Sequence, residues 1–283
     1  MRMTSINFSQ RVLALASKCF VILGFVLAFN LLTFAQGRQV NLLNTNFDNL
    51  TTGLITAPTT TGQDLWEKVL ADYGGYGEIQ SNLAISGKAL HLHTTTTAPN
   101  RFQTIVSRPF GMVDVNSAGT LVLQGDFYPS TSNLNAVNNF VASIAARGGP
   151  HPGFDLIRVD IGAGNGTPKG QTGAFISLPA YSPTANNIVP IPLTVGQNLA
   201  WNTWHSLMVA IDQRNNRYVS VTVDGVKQNL SAYLPSHSFD GTQWLRGRFI
   251  EYLVIDLVPD DVGGDRTDDD IYWDNVRLRV LPN

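Results

Sequence analysis

The chain has 283 residues, of which 43% are hydrophobic and only 14% are charged, and its formal net charge is -2. This apolar content is too high, and the net charge too low, for a disordered chain. The sequence has no basic stretch that would attract a nucleic-acid backbone, so we expect no nucleic-acid partner. It also has no heptad repeat or long helical period, which excludes coiled coils and helical bundles.

The first 35 residues have the pattern of a secretory signal peptide. Three basic residues open the segment: Arg2, Arg11 and Lys18. An apolar run over 19–34 follows, and Ala35 supplies a small residue at the expected cleavage point. The run contains Asn30 and is shorter than the roughly 20 residues that span a bilayer. Cleavage is therefore favoured, with an uncleaved membrane anchor as the alternative.

Residues 36–283 form the predicted mature protein. Their composition does not change along the chain, so we predict a single domain without a membrane span. The single cysteine, Cys19, lies within the signal peptide, which leaves the mature chain without thiols. Such a chain suits an oxidising environment. We expect a secreted protein that is extracellular or at the cell surface.

After residue 36, short alternating runs are separated by clusters of Gly, Asn, Asp, Pro and Thr, a pattern typical of strands and turns. The predicted strands are 77–83, 89–93, 103–107, 120–128, 139–145, 154–161, 174–178, 205–212, 218–223, 248–257 and 271–280. Their spacing indicates a sandwich or barrel. We predict a short helical turn within 64–71 and a long, loop-rich excursion over 162–200.

The clearest hairpin covers 206–223. Leu207, Val209 and Ile211 alternate toward one face, and the second strand repeats the alternation before an Asp224-Gly225 turn. With its Trp204-His205 opening, this segment resembles the hairpin of concanavalin A-like and laminin-G-like jelly rolls.

Two further segments resemble secreted bacterial domains of the same superfamily. Residues 46–53, Trp66 and 86–90 are similar to their first strands, and 270–278 is similar to their last strand. The resemblance implies an all-β, two-sheet antiparallel jelly-roll sandwich with a concave face that often holds glycans. It does not select an activity, because the fold serves lectins, glycanases, lyases and adhesive spacers.

Acidic residues are concentrated near the end of the chain. Eight aspartates lie within 256–274: Asp256, Asp260, Asp261, Asp265, Asp268, Asp269, Asp270 and Asp274. Such charges repel one another, and a hard cation bound by oxygen would relieve the repulsion. The resemblance adds that related sandwiches often hold a structural Ca²⁺ between the end strands. We predict Asp48, Asp270 and Asp274 as ligands, with Asp268 as an alternate; the other interpretation is a solvated acidic loop.

Catalytic carboxylates are harder to identify. Glycoside hydrolysis needs two carboxylates about 5–9 Å apart, and Glu251 with Asp256 is the nearest approach. Five residues apart on a regular strand, they would point to opposite faces. The Glu-x-Asp-x-x-Glu strand of related glucanases is absent, and no spacing matches the motif of the lyases.

His91 and His93 alternate with leucines and so point to one face of a strand. Two histidines at this spacing could bind a metal ion, but the sequence shows no third ligand nearby. Exposed or cross-strand-paired histidines are the favoured interpretation.

Aromatic side chains supply the candidate glycan platform, because sugar rings stack on Trp and Tyr. The predicted ligand-binding residues are Trp244, Arg246, Trp201, Tyr252 and Tyr181. We predict a secreted, non-catalytic, lectin-like protein that binds glycan or polysaccharide at the cell surface or in the extracellular matrix. The alternatives are a polysaccharide lyase or glycoside hydrolase, and a structural or adhesive protein that self-associates through its extended start, 39–47.

Overall fold

The computed structural model describes residues 39–55, 64–71, 75–94, 103–114, 119–130, 139–147, 155–165, 172–236, 249–259 and 269–282. Eighteen strands lie in these ranges. They are β1 (Val40–Thr45), β2 (Gly53–Leu54), β3 (Glu67–Ala71), β4 (Tyr76–Gln80), β5 (Ala89–Thr94), β6 (Thr104–Asp114), β7 (Thr120–Ser130), β8 (Asn139–Arg147), β9 (Asp155–Asn165), β10 (Thr172–Ser177), β11 (Pro179–Ser182), β12 (Asn187–Pro190), β13 (His205–Asp212), β14 (Arg217–Val223), β15 (Val226–Asn229), β16 (Leu234–Pro235), β17 (Phe249–Pro259) and β18 (Asp269–Leu281).

Two large sheets hold most of these strands. The nine-stranded sheet has the order β15-β14-β13-β7-β18-β5-β4-β2, with β1 also paired to β18. The six-stranded sheet has the order β10-β9-β8-β17-β6-β3, and a small sheet contains β12-β11-β16. Every strand pairing within the described residues is antiparallel.

The core lies between the two large sheets. Leu92 and Trp273 enter it from the nine-stranded sheet, and Ile144 and Ile255 enter it from the six-stranded sheet. All four side chains are 0% exposed and belong to one continuous cluster. Burial of a large apolar side chain stabilises a fold by about 1.5–3 kcal/mol, so the alternation in the sequence decides which face of each strand turns inward. The predicted two-sheet antiparallel sandwich is confirmed.

The predicted hairpin is formed by β13 and β14. Leu207 lies opposite Val223 and Val209 lies opposite Val221, and all four are buried in the core. The alternation that defined this hairpin in the sequence is therefore its core-facing side.

Hydrogen bonds join the opening and the end of this hairpin. Nδ1 of His205 lies 2.7 Å from Oδ2 of Asp224, and the backbone N–H of Ser206 donates to Oδ1 of Asp224 at 2.8 Å. Nε2 of His205 lies 2.9 Å from the carbonyl oxygen of Ala200. The His205 opening and the Asp224-Gly225 turn thus belong to one hydrogen-bonded unit.

The short helical turn predicted within 64–71 is wrong. Asp64 and Leu65 form a turn, but the chain then continues as β3, which pairs with β6. The partner strand is distant in sequence, and local propensity carries no information about such a neighbour.

The loop-rich excursion predicted over 162–200 is wrong in part, because it contains β11 and β12 in addition to the predicted strand 174–178, which corresponds to β10. Ile176, Leu178, Ala180 and Ile191 are buried and belong to the core cluster. The segment therefore packs against the sandwich as strands, because this buries its apolar side chains in the core.

The predicted signal peptide lies outside the described residues. Among the residues that are described, no helix has the length and apolar character needed to cross a membrane. The start of the described chain is paired internally through β1 and β18, and self-association through 39–47 stays a prediction.

Candidate functional site

Three neighbouring strands of the six-stranded sheet carry polar side chains on the side facing away from the core. Asp160 on β9 lies opposite Ser143 on β8, and Ser143 lies opposite Asp256 on β17. Residues directly opposite each other on antiparallel strands share a face. Ile144, the next residue along β8, faces the core. The row Asp160–Ser143–Asp256 therefore lies on the outer side.

Arginines and a further aspartate complete this surface. We use the term polar face for the set Ser143, Arg147, Tyr252, Asp155, Arg158, Asp160 and Asp256. Nε of Arg158 donates to Oδ1 of Asp160 at 2.6 Å, and Nη1 of Arg158 donates to Oδ2 of Asp155 at 3.5 Å. Arg147 also donates to Asp155 through Nε. The two guanidinium groups thus hold two carboxylates, those of Asp155 and Asp160.

Exposure differs across the polar face. The side chains of Arg158 and Asp160 are 31% and 22% exposed, so a ligand can reach them. Asp256 is 3% exposed, and its Oδ1 accepts the hydroxyl hydrogen of Ser143 at 2.5 Å. Asp256 therefore lies beneath the accessible surface, where it holds the Ser143 hydroxyl, and a ligand does not contact it directly.

Burial changes the acidity of both carboxyls in the row. It raises the pKa of Asp160 above its usual value, against the nearby Arg158, which lowers it. It also raises the pKa of Asp256, although a hydrogen bond from Ser143 and the charges of Arg158 and Arg147 lower it. The charges of Asp256 and Asp155 also raise the pKa of Asp160, and the charge of Asp155 raises the pKa of Asp256.

Tyr252 is the predicted ligand-binding residue that lies on this surface. It lies opposite Arg147 in the pairing of β17 with β8 and shares its face with Asp256, four residues further along the strand. Its side chain is half-buried. An aromatic ring beside arginine and aspartate side chains is a combination that suits a sugar.

The predicted pair of Glu251 and Asp256 is brought onto the same strand, but only Asp256 has a described side chain. The pairing of β17 with β6 is irregular between Ile250 and Tyr252, so the register at Glu251 is not that of a regular ladder. The orientation of Glu251 lies outside the described features, and its role stays a prediction.

The other predicted ligand-binding residues are not shown on the polar face. Trp201 packs against the core residue Phe140, with ring centroids 5.9 Å apart. Tyr181 lies on β11 of the small sheet, where its hydroxyl donates to Oδ1 of Asn186 at 3.2 Å. Trp244 and Arg246 lie outside the described residues.

Two of the predicted calcium ligands meet at the loop 85–88. β1 pairs with β18, with Thr45 opposite Val276, which brings Asp48 and Asp274 to the same edge as expected. Oδ2 of Asp274 accepts the backbone N–H groups of Ile85 and Ser86 at 3.0 and 3.3 Å. Burial raises the pKa of Asp274, and the charge of Asp48 raises it further, against the lowering effect of backbone N–H groups.

Asp48 holds the other end of this loop. Its Oδ1 accepts the backbone N–H of Lys88 at 2.7 Å, and Nζ of Lys88 donates to the carbonyl oxygens of Asp48 and Leu50 at 3.1 and 2.5 Å. Asp274 and Asp48 thus offer two carboxylates, whereas Ca²⁺ takes six to eight oxygens. Asp268 lies outside the described residues. Calcium binding stays a prediction.

Asp270 lies in a different cluster, four residues before Asp274 on β18. Its Oδ1 is 2.6 Å from Nε2 of His91 and 2.8 Å from Nδ1 of His93. Burial alone would raise the pKa of Asp270, but the hydrogen bonds and charges of the two histidines outweigh it and lower that pKa to about 2. The structure does not gather Asp270 with Asp48 and Asp274.

Sequence reasoning missed Arg158, Asp160 and Ser143. A signal was present, because Arg158 and Asp160 alternate with the apolar residues Ile157, Val159 and Ile161, which are buried in the core. The alternation defines a polar side of β9, but it contains nothing that aligns this side with Asp256.

No family model matches the chain, and no curated protein matches it in sequence. Among solved structures, the chain is 14% identical to the catalytic domain of a GH131 β-glucanase from Podospora anserina, with 84% of this chain and 95% of that chain covered and a TM-score of 0.54. An endo-β-1,4-glucuronan lyase from Trichoderma reesei is 16% identical, with coverages of 82% and 95% and a TM-score of 0.48. Lectin II from Ulex europaeus is 8% identical, with coverages of 86% and 100% and a TM-score of 0.41.

Identities this low establish the fold alone. Of these three structures, the glucanase domain has a TM-score above 0.5, and the fold comparison rests on it. Together with the two antiparallel sheets and their single core, the match defines the fold: the chain is a concanavalin A-like jelly-roll sandwich, the fold that it shares with this glucanase domain.

Proposed function

We propose that this protein is a secreted carbohydrate-binding protein that holds a neutral polysaccharide on the polar face without cleaving it. The observation that carries the proposal is the exposed pair of Arg158 and Asp160, on the same outer side of the six-stranded sheet as Tyr252, which lies opposite Arg147. The fold shared with a β-glucanase catalytic domain supports a polysaccharide as the ligand.

The chemistry of the polar face suits sugar hydroxyls. A sugar hydroxyl both donates and accepts hydrogen bonds. The guanidinium group of Arg158 can donate to its oxygen, and the carboxylate of Asp160 can accept from its hydrogen. Tyr252 adds an apolar ring surface for the C–H face of a sugar. These polar side chains are already ordered by one another, so binding would not have to order them.

Charge favours a neutral glycan over an acidic one. The polar face holds the carboxyls of Asp155, Asp160 and Asp256 against the guanidinium groups of Arg147 and Arg158. A polyuronate would add further carboxylates to a surface that already has more acids than bases, and like charges brought together on a surface repel.

The burial of Asp256 supports binding without catalysis. A general acid or nucleophile must reach the glycosidic bond, whereas Asp256 is 3% exposed and is hydrogen-bonded by Ser143. Only Asp160 of the row is accessible, and its carboxylate is held by Arg158.

The proposal is tested by measuring retention on a neutral β-glucan, with glucuronan and alginate as acidic counterparts. Arg158→Gln removes the guanidinium donors, and because hydrogen bonds to charged groups contribute about 1.5–3 kcal/mol, we expect affinity for β-glucan to fall roughly 10- to 100-fold. Arg214→Gln is the matched control, since Arg214 is an exposed arginine in the loop between β13 and β14. Equal retention of the two variants, or no retention of any polysaccharide by the native chain, would contradict the proposal.

Glycoside hydrolysis is the second candidate, and the row Asp160–Ser143–Asp256 is the observation that favours it. Strands lie about 4.8 Å apart. Because β8 lies between β9 and β17, the backbones of the two aspartates are two spacings, or roughly 10 Å, apart, and both carboxyls have raised pKa values. Release of reducing ends from β-glucan by the native chain, lost in Asp160→Asn, would establish this activity. Retention without product favours the binding protein.

A further inference from the structure

His91, His93 and Asp270 form a compact cluster on the outer side of the nine-stranded sheet. They lie on the adjacent strands β5 and β18, where Asp270 is directly opposite His93. The residues between them, Leu92 and Ile271, are 0% exposed and face the core. The alternation of both strands therefore presents the two imidazoles and the carboxylate on the same outer face, away from the polar face on the other sheet.

Three ligand atoms in this cluster converge on one point. Nε2 of His91 and Nδ1 of His93 lie 2.6 and 2.8 Å from the same oxygen, Oδ1 of Asp270, and all three atoms are within 4.8 Å of one another. In a tetrahedral zinc site with metal–ligand distances of about 2.0–2.1 Å, neighbouring ligand atoms are about 3.3 Å apart. The two short contacts would have to open by less than about 1 Å to admit an ion.

The imidazole rings are fixed in position by their surroundings. The ring of His91 is stacked on Tyr272, with centroids 4.2 Å apart and planes 8° from parallel. The ring of His93 is stacked on Tyr76, with centroids 4.6 Å apart and planes 23° from parallel. Ligand atoms held in this way lose little freedom when an ion binds.

A second carboxylate orients His91. Oε1 of Glu78 lies 3.0 Å from Nδ1 of His91, on the ring edge that faces away from Asp270. Metal-binding histidines almost always place their other ring nitrogen against a carboxylate or carbonyl group, which fixes the tautomer and makes the ligating nitrogen more basic. Two surface histidines that only paired with residues of the adjacent strand would not need a second carboxylate at His91.

We propose that His91, His93 and Asp270 bind Zn²⁺, with Glu78 as a positioning residue and the fourth position open to solvent. Two imidazoles and one carboxylate are a ligand set found in zinc sites that keep an open position. The side chains of His93 and Asp270 are 13% and 27% exposed, so an ion can enter from the solvent side, whereas that of His91 is 7% exposed. The oxygen-poor set selects against Ca²⁺, which prefers oxygen ligands.

The test is a titration of the metal-stripped full chain with Zn²⁺ by calorimetry and by competition with a chromogenic chelator. The native chain is expected to bind one Zn²⁺ at this site. His93→Gln and Asp270→Asn, which keep hydrogen-bonding groups in place, are expected to lose on the order of 100-fold or more in affinity, and Glu78→Gln about 10- to 100-fold. Asp126→Asn is the matched control, because Asp126 lies on the same sheet and is hydrogen-bonded to Asn275 outside the cluster.

Folding of each variant is checked by thermal melting without metal, and Co²⁺ absorption reports the coordination directly. A visible spectrum of four-coordinate Co²⁺ in the native chain, lost in His93→Gln while the melting curve is retained, supports the site. The proposal is overturned if the native chain neither binds Zn²⁺ nor shows this spectrum, or if the ligand variants bind as tightly as Asp126→Asn. Because the polar face lies on the other sheet, retention on β-glucan reports separately on the proposed function.

Discussion

At the scale of single residues, Asp256 is the clearest case of a carboxyl whose surroundings disfavour its charge. It is 3% exposed, and burial raises its pKa despite the hydrogen bond from Ser143 and the nearby Arg158 and Arg147. The folded protein therefore binds more protons than the unfolded chain between the usual value of 3.8 and the raised pKa. Stability from this group is lost as the pH rises through that window.

Asp256→Asn tests this pH dependence. Asparagine has no proton to lose and still offers Oδ1 to the hydroxyl of Ser143. The variant should therefore not show the fall in stability that the ionisation of Asp256 causes as the pH rises. We expect the free energy of unfolding of the variant, relative to the native chain, to increase as the pH rises above 3.8 and then to become constant. Urea unfolding of both proteins between about pH 3 and pH 7 gives this difference.

The control for this measurement is Asp64→Asn, because Asp64 forms an exposed ion pair with Arg108. Exposed pairs contribute about 0–1 kcal/mol. Parallel pH curves for the native chain and Asp256→Asn would show that Asp256 titrates alike in the folded and unfolded states.

At the scale of elements, the loop 85–88 joins the first and last strands to the start of β5. Asp274 accepts two N–H groups at one end of the loop, and Asp48 accepts the N–H of Lys88 at the other. Gly87 lies between them with a φ of +56°, a left-handed conformation that side chains rarely adopt. A Cβ atom at Gly87 would collide with the carboxylate of Asp48.

Gly87→Ala is therefore expected to destabilise the protein more than Gly225→Ala. Both glycines have positive φ, so both substitutions carry a backbone cost of about 1–2 kcal/mol. A Cβ at Gly225, however, has no atom within 4 Å, and only Gly87→Ala displaces a carboxylate from the edge of the sheet. Thermal and urea unfolding of the two variants measure the difference. Equal losses of stability would show that the collision with Asp48 does not destabilise the protein.

The same loop gives the test of the predicted calcium ion. Ca²⁺ added to metal-stripped protein should raise the melting temperature if Asp48 and Asp274 are ligands, because an ion bound only by the folded state stabilises it. Asp274→Ala should abolish the rise, whereas Asp270→Asn should leave it intact, since Asp270 is held by His91 and His93. A melting temperature that is unchanged at millimolar Ca²⁺ would contradict the prediction.

At the scale of the whole molecule, the sandwich separates two kinds of chemistry onto its two outer surfaces. The six-stranded sheet carries arginines and aspartates, and the nine-stranded sheet carries histidines, tyrosines and carboxylates. The core between them isolates the two surfaces from each other, so substitutions on one are expected to leave binding at the other unchanged.

Export is also a property of the whole chain. We expect a host that secretes the protein to release a mature form that begins at Gln36, because the basic start, apolar run and Ala35 match a cleavable signal peptide. Intact mass measurement of the secreted protein checks this directly. A full-length mass in the membrane fraction would favour the retained anchor.

The sequence by itself determined the all-β class, the hairpin of β13 and β14, and most strand positions. These features depend on alternation with a period of two and on turn residues, which are local and visible along the chain. The Trp204-His205 opening and the Asp224-Gly225 turn also carried the resemblance to the jelly-roll fold, which the structure confirms.

Only the tertiary structure decided which polar residues meet. The third member of the histidine cluster, Asp270, is 177 residues from His93, and Ser143 is 113 residues from Asp256. Such contacts depend on strand order and register, which are set by how the two sheets bury their apolar faces against each other. A polar residue contributes little to that packing, so its partner across the sheet is fixed by its apolar neighbours and cannot be deduced from its own position in the chain.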